Sequence, residues 1–274
     1  MKVWRVTIFL WWEVVSMIKC FRAELYRLWK SPAFWLCLTG MLVTSAGFVG
    51  MQATAMDYTV PISRVIFLPL TLWGMVSAAF VSFFLGQDFS GGFVRCKLLS
   101  IPCRRDYVLA QLAVAAVGCG GIYLIVVGFT TVLSMPLFEM NVKAVDFLRF
   151  TLTGLGMSMA QGCFFAGLTL LCANQSRGIL VTMAMAFGML LLALHTNSIL
   201  VQSPYKNDAV NSHYVSGIVR QAYLLLHNLN PTGQAAQLSA WQVLQPEYSG
   251  LCSFLLAAIS AVVSCRGFEN KDIR

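Results

Sequence analysis

The sequence predicts an all-α, polytopic membrane fold, with about six transmembrane helices behind an N-terminal amphipathic elbow helix. Two observations carry this. Hydrophobic residues fill 58% of the 274 positions and charged ones only 11%, less than half the roughly 25% of soluble domains, so there is too little charge for a water-facing shell. The apolar residues are also gathered into long runs, not spread at the amphipathic spacing of soluble helices.

Crossing about 30 Å of hydrocarbon at about 1.5 Å per residue takes about 20 apolar residues. Runs of that kind cover Pro32 to Gln52, Val65 to Gly86, Tyr107 to Phe138, Phe150 to Ala173, Gly178 to Val201 and Ser249 to Cys265. The third is long enough to tilt, or to break near Pro136, and the short sixth has room to begin earlier.

Ahead of them, Val14, Ile18, Phe21, Leu25 and Leu28 recur at helical spacing, with Ser16, Lys19, Ala23, Arg27 and Lys30 on the other side. An apolar stripe opposite a cationic one suits a helix lying in the headgroup layer, anchored by Trp11, Trp12 and Trp29. Glu13 interrupts the apolar start, and no small-residue cleavage site follows, so a signal peptide is not expected. Ser31-Pro32 turns the chain into the first span. The chain divides into an elbow (1–31) and a six-span domain (32–274).

Orientation follows from the nineteen Lys and Arg residues. Arg64, Lys143, Arg149, Lys206 and Arg220 fall on one side and all the others on the opposite side, which the positive-inside rule makes cytoplasmic. Both termini and the loop at 87–106 are then cytoplasmic, and the segment 202–248 is external. The same distribution accounts for the net charge of +8 without nucleic acid, through topology and anionic headgroups. None of the nine cysteines lies in an external loop, so no disulfide framework is implied. Cys96 and Cys103 lack the spacing and the histidine of a metal site.

Within 202–248, Tyr214, Ile218, Val219, Ala222, Leu225, Leu226 and Leu229 mark an amphipathic face with Ser216, Arg220 and His227 opposite. Asn230-Pro231-Thr232-Gly233 is expected to close it as a turn. This predicts a helix on the outer membrane surface, or one dipping into it.

Several functional classes are disfavoured. All eleven acidic residues fall outside the apolar cores, whose polar side chains are chiefly Gln161 and, near an end, His195. An ion-coupled carrier needs an ionisable group at mid-depth. Gln161 is expected to bond a neighbouring helix, and His195 reads as an interface residue. Neither a zinc-protease His-Glu-x-x-His nor a nucleophile-elbow Gly-x-Ser-x-Gly occurs, and no Lys follows a Gly, which excludes a phosphate loop. No catalytic, cofactor or metal residue is therefore assigned to the chain.

The loop from Gln87 to Tyr107 is cationic yet rich in Phe89, Phe93, Val94, Leu98 and Leu99. Asp88 or Ser90 can cap a short helix, Gly91-Gly92 permits a tight turn, and Ile101-Pro102 ends it. Such a helix beside the membrane has the form of one that docks into a partner's groove.

Asp88-Phe89-Ser90-Gly91-Gly92, then Arg95, Lys97-Leu98-Leu99 and Arg104-Arg105, resembles the first cytoplasmic loop of permease subunits of bacterial ABC exporters of the second type. The layout of elbow, six spans and a helical segment between the fifth and sixth is similar to that family over nearly the whole chain. The sharpest motif covers about twenty residues, with Gly92-Phe93 where Gly-Thr is commoner and Cys103-Arg104 where Ser-Arg is commoner. The resemblance implies a half-transporter of the bacterial cytoplasmic membrane. It pairs with a second permease of the same or a related chain and sits on two cytoplasmic ATP-binding subunits, which hold the ATP and Mg. It further implies a coupling helix from Phe89 to Leu99 whose apolar face enters the ATPase groove. Asp88, Gly92, Arg95, Lys97, Arg104 and Arg105 would assist there, the cations by meeting acidic or phosphate groups. An amphipathic cargo, such as an antimicrobial peptide, a toxin or a lipid-like compound, follows by analogy. An ion-coupled carrier or channel, and a membrane scaffold that recruits a cytoplasmic partner without transport, are the rival readings.

Overall fold

The chain is an all-α polytopic membrane protein. A computed structural model describes residues 18–55, 61–100, 103–202, 205–206, 209–210, 214–241 and 246–270. Trp11, Trp12, Val14, Ile101 and Pro102 lie outside these.

An N-terminal helix, α1 (18–30), leads through Ser31 into the first span, α2 (Pro32–Ala55). The second span enters as two 3-10 turns, Ile62–Arg64 and Leu68–Leu72, before the regular helix α3 (Trp73–Ser90). Pro61 and Pro69, which lack an N–H, keep that end from α-helical pairing. A short helix, α4 (Phe93–Ser100), precedes the third span, α5 (Arg104–Ser134). That span ends at Ser134 instead of the expected Phe138, because Pro136 cannot continue it. The fourth and fifth spans, α6 (Ala144–Cys172) and α7 (Gln175–Leu200), are joined by a two-residue turn in which Ala173 is left-handed and the Asn174 side chain caps α7. Two shorter helices, α8 (Gly217–Leu229) and α9 (Pro231–Ser239), precede the sixth span, α10 (Pro246–Glu269), which begins earlier than expected.

More than half of the apolar stretches of the second, third and fourth spans is buried, against less than a third for α2, α7 and α10. The first three form the core and the others surround them. The α5–α6 contact depends on Gly162, whose hydrogen points at the Ala115 carbonyl oxygen. A Cβ there would lie 2.8 Å from that backbone oxygen, which cannot swing aside. The outward faces carry Leu36, Leu180 and Phe254, each at least 70% exposed and of the chemistry that lipid tails accept. Several hydroxyls on the spans, those of Ser45, Thr130, Thr169 and Thr182 among them, donate to the carbonyl one turn back and so need no water.

Interactions sort the ends of the bundle. α1, the α3–α5 connection and the end of α10 meet at one end through Arg27–Asp88 and Arg105–Glu269, and Gly86 faces Gln175 there. At the other end the Ile62 N–H donates to Glu139 O, and Arg220 donates to Leu200 O. The described chain therefore begins and ends on the same side, the side that collects most of its cations.

The segment between α7 and α10 holds the expected amphipathic helix, α8, followed by a second helix that the sequence did not predict. α8 points its apolar face outward, with Ile218 84% exposed, and its polar face inward. Arg220 reaches Leu200 O, and Thr196 Oγ1 stands 2.7 Å from His227 Nδ1. That inversion suits surroundings of lipid, not water. Asn230 alone breaks the chain, and the expected turn is instead the start of α9, with Pro231 at its first position, where the missing N–H costs nothing. α9 is buried among the spans from Pro231 to Ala235.

Burial lowers the pKa of His227 below its ordinary value. The folded protein then binds fewer protons there than the unfolded chain, so stability is lost as pH falls below about 6.5. Unfolding midpoints in detergent should drop between pH 7.5 and 5.5, and His227→Gln should flatten that drop. An equal drop in both proteins would exonerate His227.

Candidate partner-docking site

The structure corrects the extent of the short helix expected from Phe89 to Leu99. It starts at Phe93, not Phe89, because α3 runs on through Asp88 and Phe89 to Ser90. Gly91-Gly92 forms the expected turn, with Gly92 at φ +68°, a conformation that a side chain would strain. Neither expected cap acts as one: Asp88 is helical and buried, and the Ser90 hydroxyl donates back to Gln87 O.

Asp88 belongs to a four-charge cluster. Lys97 Nζ of α4 lies 2.8 Å from Asp88 Oδ2 and 2.6 Å from Glu24 Oε1, and Arg27 of α1 pairs with Asp88 and stands 3.2 Å from Glu24 Oε2. Arg27 also donates to Phe84 O, with its guanidinium carbon 4.3 Å from the Phe84 ring centre. Two carboxylates and two cations alternate, so each charge has opposite neighbours. Burial opposes the Arg27 charge, but the hydrogen bond to Asp88, together with the Glu24 and Asp88 carboxylates, overcomes it and raises its pKa.

The elbow face therefore differs from expectation. Arg27, assigned to the outer cationic side, turns inward, and Glu24 is buried beside Leu28. The signal was present, because Glu24 lies three residues after Phe21 and four before Leu28, on the apolar stripe itself. Ile18 and Trp29 are exposed.

The cluster sets the rotation of α4. Val94 is buried, Leu98 packs against the core, and Lys97 enters the cluster, while Phe93 (60% exposed), Cys96 and Leu99 (89% exposed) face away. Spaced every third residue, these last three cover about 120° of one face. Phe89 also packs against the core. Of the expected docking residues, Phe89 and Leu98 thus hold the helix in place and Leu99 is presented, joined by Phe93. Arg95 lies in α4. Lys97 meets carboxylates, but those of its own chain. Arg105 pairs with Glu269, and Arg104 donates to the Glu269 carbonyl 3.3 Å away, joining the start of α5 to the end of α10.

Away from this end, Gln161 does not bond a neighbouring helix: it is fully buried, and neither amide atom has a hydrogen-bond partner among the described residues. Gln111, on α5 and passed over in the sequence reading, is in the same condition. Such groups typically cost about 1–3 kcal/mol each. Among the described residues no group of three or more His, Cys, Asp and Glu can hold a metal ion.

No family model matches the chain, and no curated protein matches it.

Proposed function

We propose that this protein is the permease subunit of an ATP-driven ABC exporter of the bacterial cytoplasmic membrane, and that it moves an amphipathic compound outward. The observation that carries the reading is α4. A short helix between the second and third spans presents Phe93, Cys96 and Leu99 outward while a buried charge cluster fixes its back. A loop meant only to connect two spans has no need of an exposed aromatic and an exposed Leu braced by four charges. A helix that must pass force from a soluble partner into α1 and α3 has need of both. The end of the bundle that bears α4 also gathers most of the cations, which the positive-inside rule makes cytoplasmic. Two ATP-binding subunits would dock there, supplying the nucleotide and Mg, and a second permease would complete the pathway.

The test is purification from the native membrane with partners retained. The complex should contain an ATP-hydrolysing subunit, the isolated chain should hydrolyse no ATP, and export should continue when the proton gradient is collapsed at constant ATP. Transport that stops with the gradient, or hydrolysis by the isolated chain, refutes the reading.

A further inference from the structure

The start of α9 is inserted into the bundle and tied there on several sides. Asn230 Oδ1 accepts from the Thr232 N–H at 3.1 Å, and Asn230 Nδ2 donates to Met189 O of α7 at 2.7 Å. Gln234 donates to Ser249 O, and Ser253 donates to Gln234 Oε1, which engages α10. Against this bonded periphery, the side facing α3 and α6 is left unmatched. Gln161 Nε2 and Thr232 Oγ1 lie 3.4 and 3.1 Å from the point a Cβ would take on Gly74, so both converge on one spot of α3. Among the described residues neither has a hydrogen-bond partner, nor has Trp73 Nε1, on the residue preceding Gly74. Gln161, Thr232 and Trp73 are each at least nine-tenths buried.

Many serines and threonines on the spans satisfy themselves through their own helix. A glutamine amide and a threonine hydroxyl gathered at one point do not, although the long Gln161 side chain has the reach to bond a neighbour. The two atoms that meet there, the Gln161 amide nitrogen and the Thr232 hydroxyl, can both donate. Thr232 is the second residue of α9, at a helix N-terminus, which carries partial positive charge and favours anions. In transporters such half-buried helix starts are where anionic substrate groups bind.

We propose that the α3–α6–α9 junction is a binding station for the anionic head group of an amphipathic substrate, closed in this conformation and opened by withdrawal of α8 and α9. This deepens the exporter reading and rests on it for the word substrate. The apolar remainder of such a molecule would stay among lipid-facing side chains while its head group takes the bonds that Gln161 and Thr232 lack.

The test uses the full chain in lipid nanodiscs, which expose both membrane faces, and needs no ATPase. Thr232→Cys is labelled with an anionic sulfonatoethyl thiosulfonate and with its cationic trimethylammonium counterpart. Modification is read at each cysteine by mass spectrometry, so exposed Cys96 and fully buried Cys119 serve as internal limits. Position 232 should react at least about tenfold faster than Cys119. After correction for intrinsic reactivity, the anionic reagent should be favoured by about threefold. Gln161→Leu and Gln161→Met should raise the thermal midpoint and slow labelling at 232 by about tenfold, since they relieve the unmatched amide only in the closed form. Reaction at the rate of Cys119, no preference for the anion, or lower midpoints in both Gln161 variants would each overturn the proposal. Co-purification with an ATPase reports separately on the exporter reading.

Discussion

Phe93→Asp or Leu99→Glu should weaken binding of the proposed ATPase partner by roughly 30- to 4,000-fold, corresponding to about 2–5 kcal/mol, while the chain itself stays folded. Both side chains are mostly exposed in the isolated chain, so a carboxylate there remains in water until a partner buries it. Only the complex then bears the uncompensated charge. The neighbouring positions should behave differently. Phe89→Asp and Leu98→Glu introduce charge where the side chain packs against the protein's own core, and they should lower its yield and thermal midpoint. Lys206→Glu, at the opposite end of the bundle, is the neutral control. ATPase recovered per mole of this chain separates these outcomes, and protection of Cys96 from alkylation by bound ATPase checks the same face. Unchanged recovery with Phe93→Asp and Leu99→Glu would remove the main support for an ABC permease.

Asp88→Leu should be among the most damaging single substitutions in the chain. It leaves Arg27 and Lys97 to share Glu24, one carboxylate for two cations. Breaking a buried pair typically costs about 3–5 kcal/mol, and the effect here should fall towards the lower end, since Lys97 and Arg27 are 25% and 29% exposed. Adding Lys97→Leu restores charge balance, with Arg27 and Glu24 still paired, and should recover most of the loss. The coupling between the two sites is read from thermal midpoints in a double-mutant cycle. If Asp88→Leu alone stays within about 0.5 kcal/mol of the wild type, the cluster does not fix α4. Because the cluster joins α1, α3 and α4, the single variant should also, if the exporter reading holds, uncouple nucleotide hydrolysis from export more than it lowers ATPase binding.

Length and polarity of runs were enough to place the six spans, because a bilayer demands about 20 apolar residues per crossing whatever their neighbours. Proline marked where the third span stops, and Gly91-Gly92 marked the turn before α4, since both act through local backbone geometry. The charge count separated the two ends of the bundle for the same reason: it depends on order along the chain, not on contacts. Contacts decided the rest. Arg27 and Lys97 look like solvated cations in sequence, and only the meeting of α1, α3 and α4 turns them onto Glu24 and Asp88. Which side of α4 is free, that of Phe93 and Leu99 instead of that of Leu98, follows from that pairing. The amphipathic pattern of α8 is the same for a helix facing water and one facing lipid, so only its neighbours fix the polar side inward. That α9 exists at all, and that Gln161 and Thr232 converge on Gly74, depends on residues far apart in sequence brought within a few ångströms. No local pattern encodes that distance.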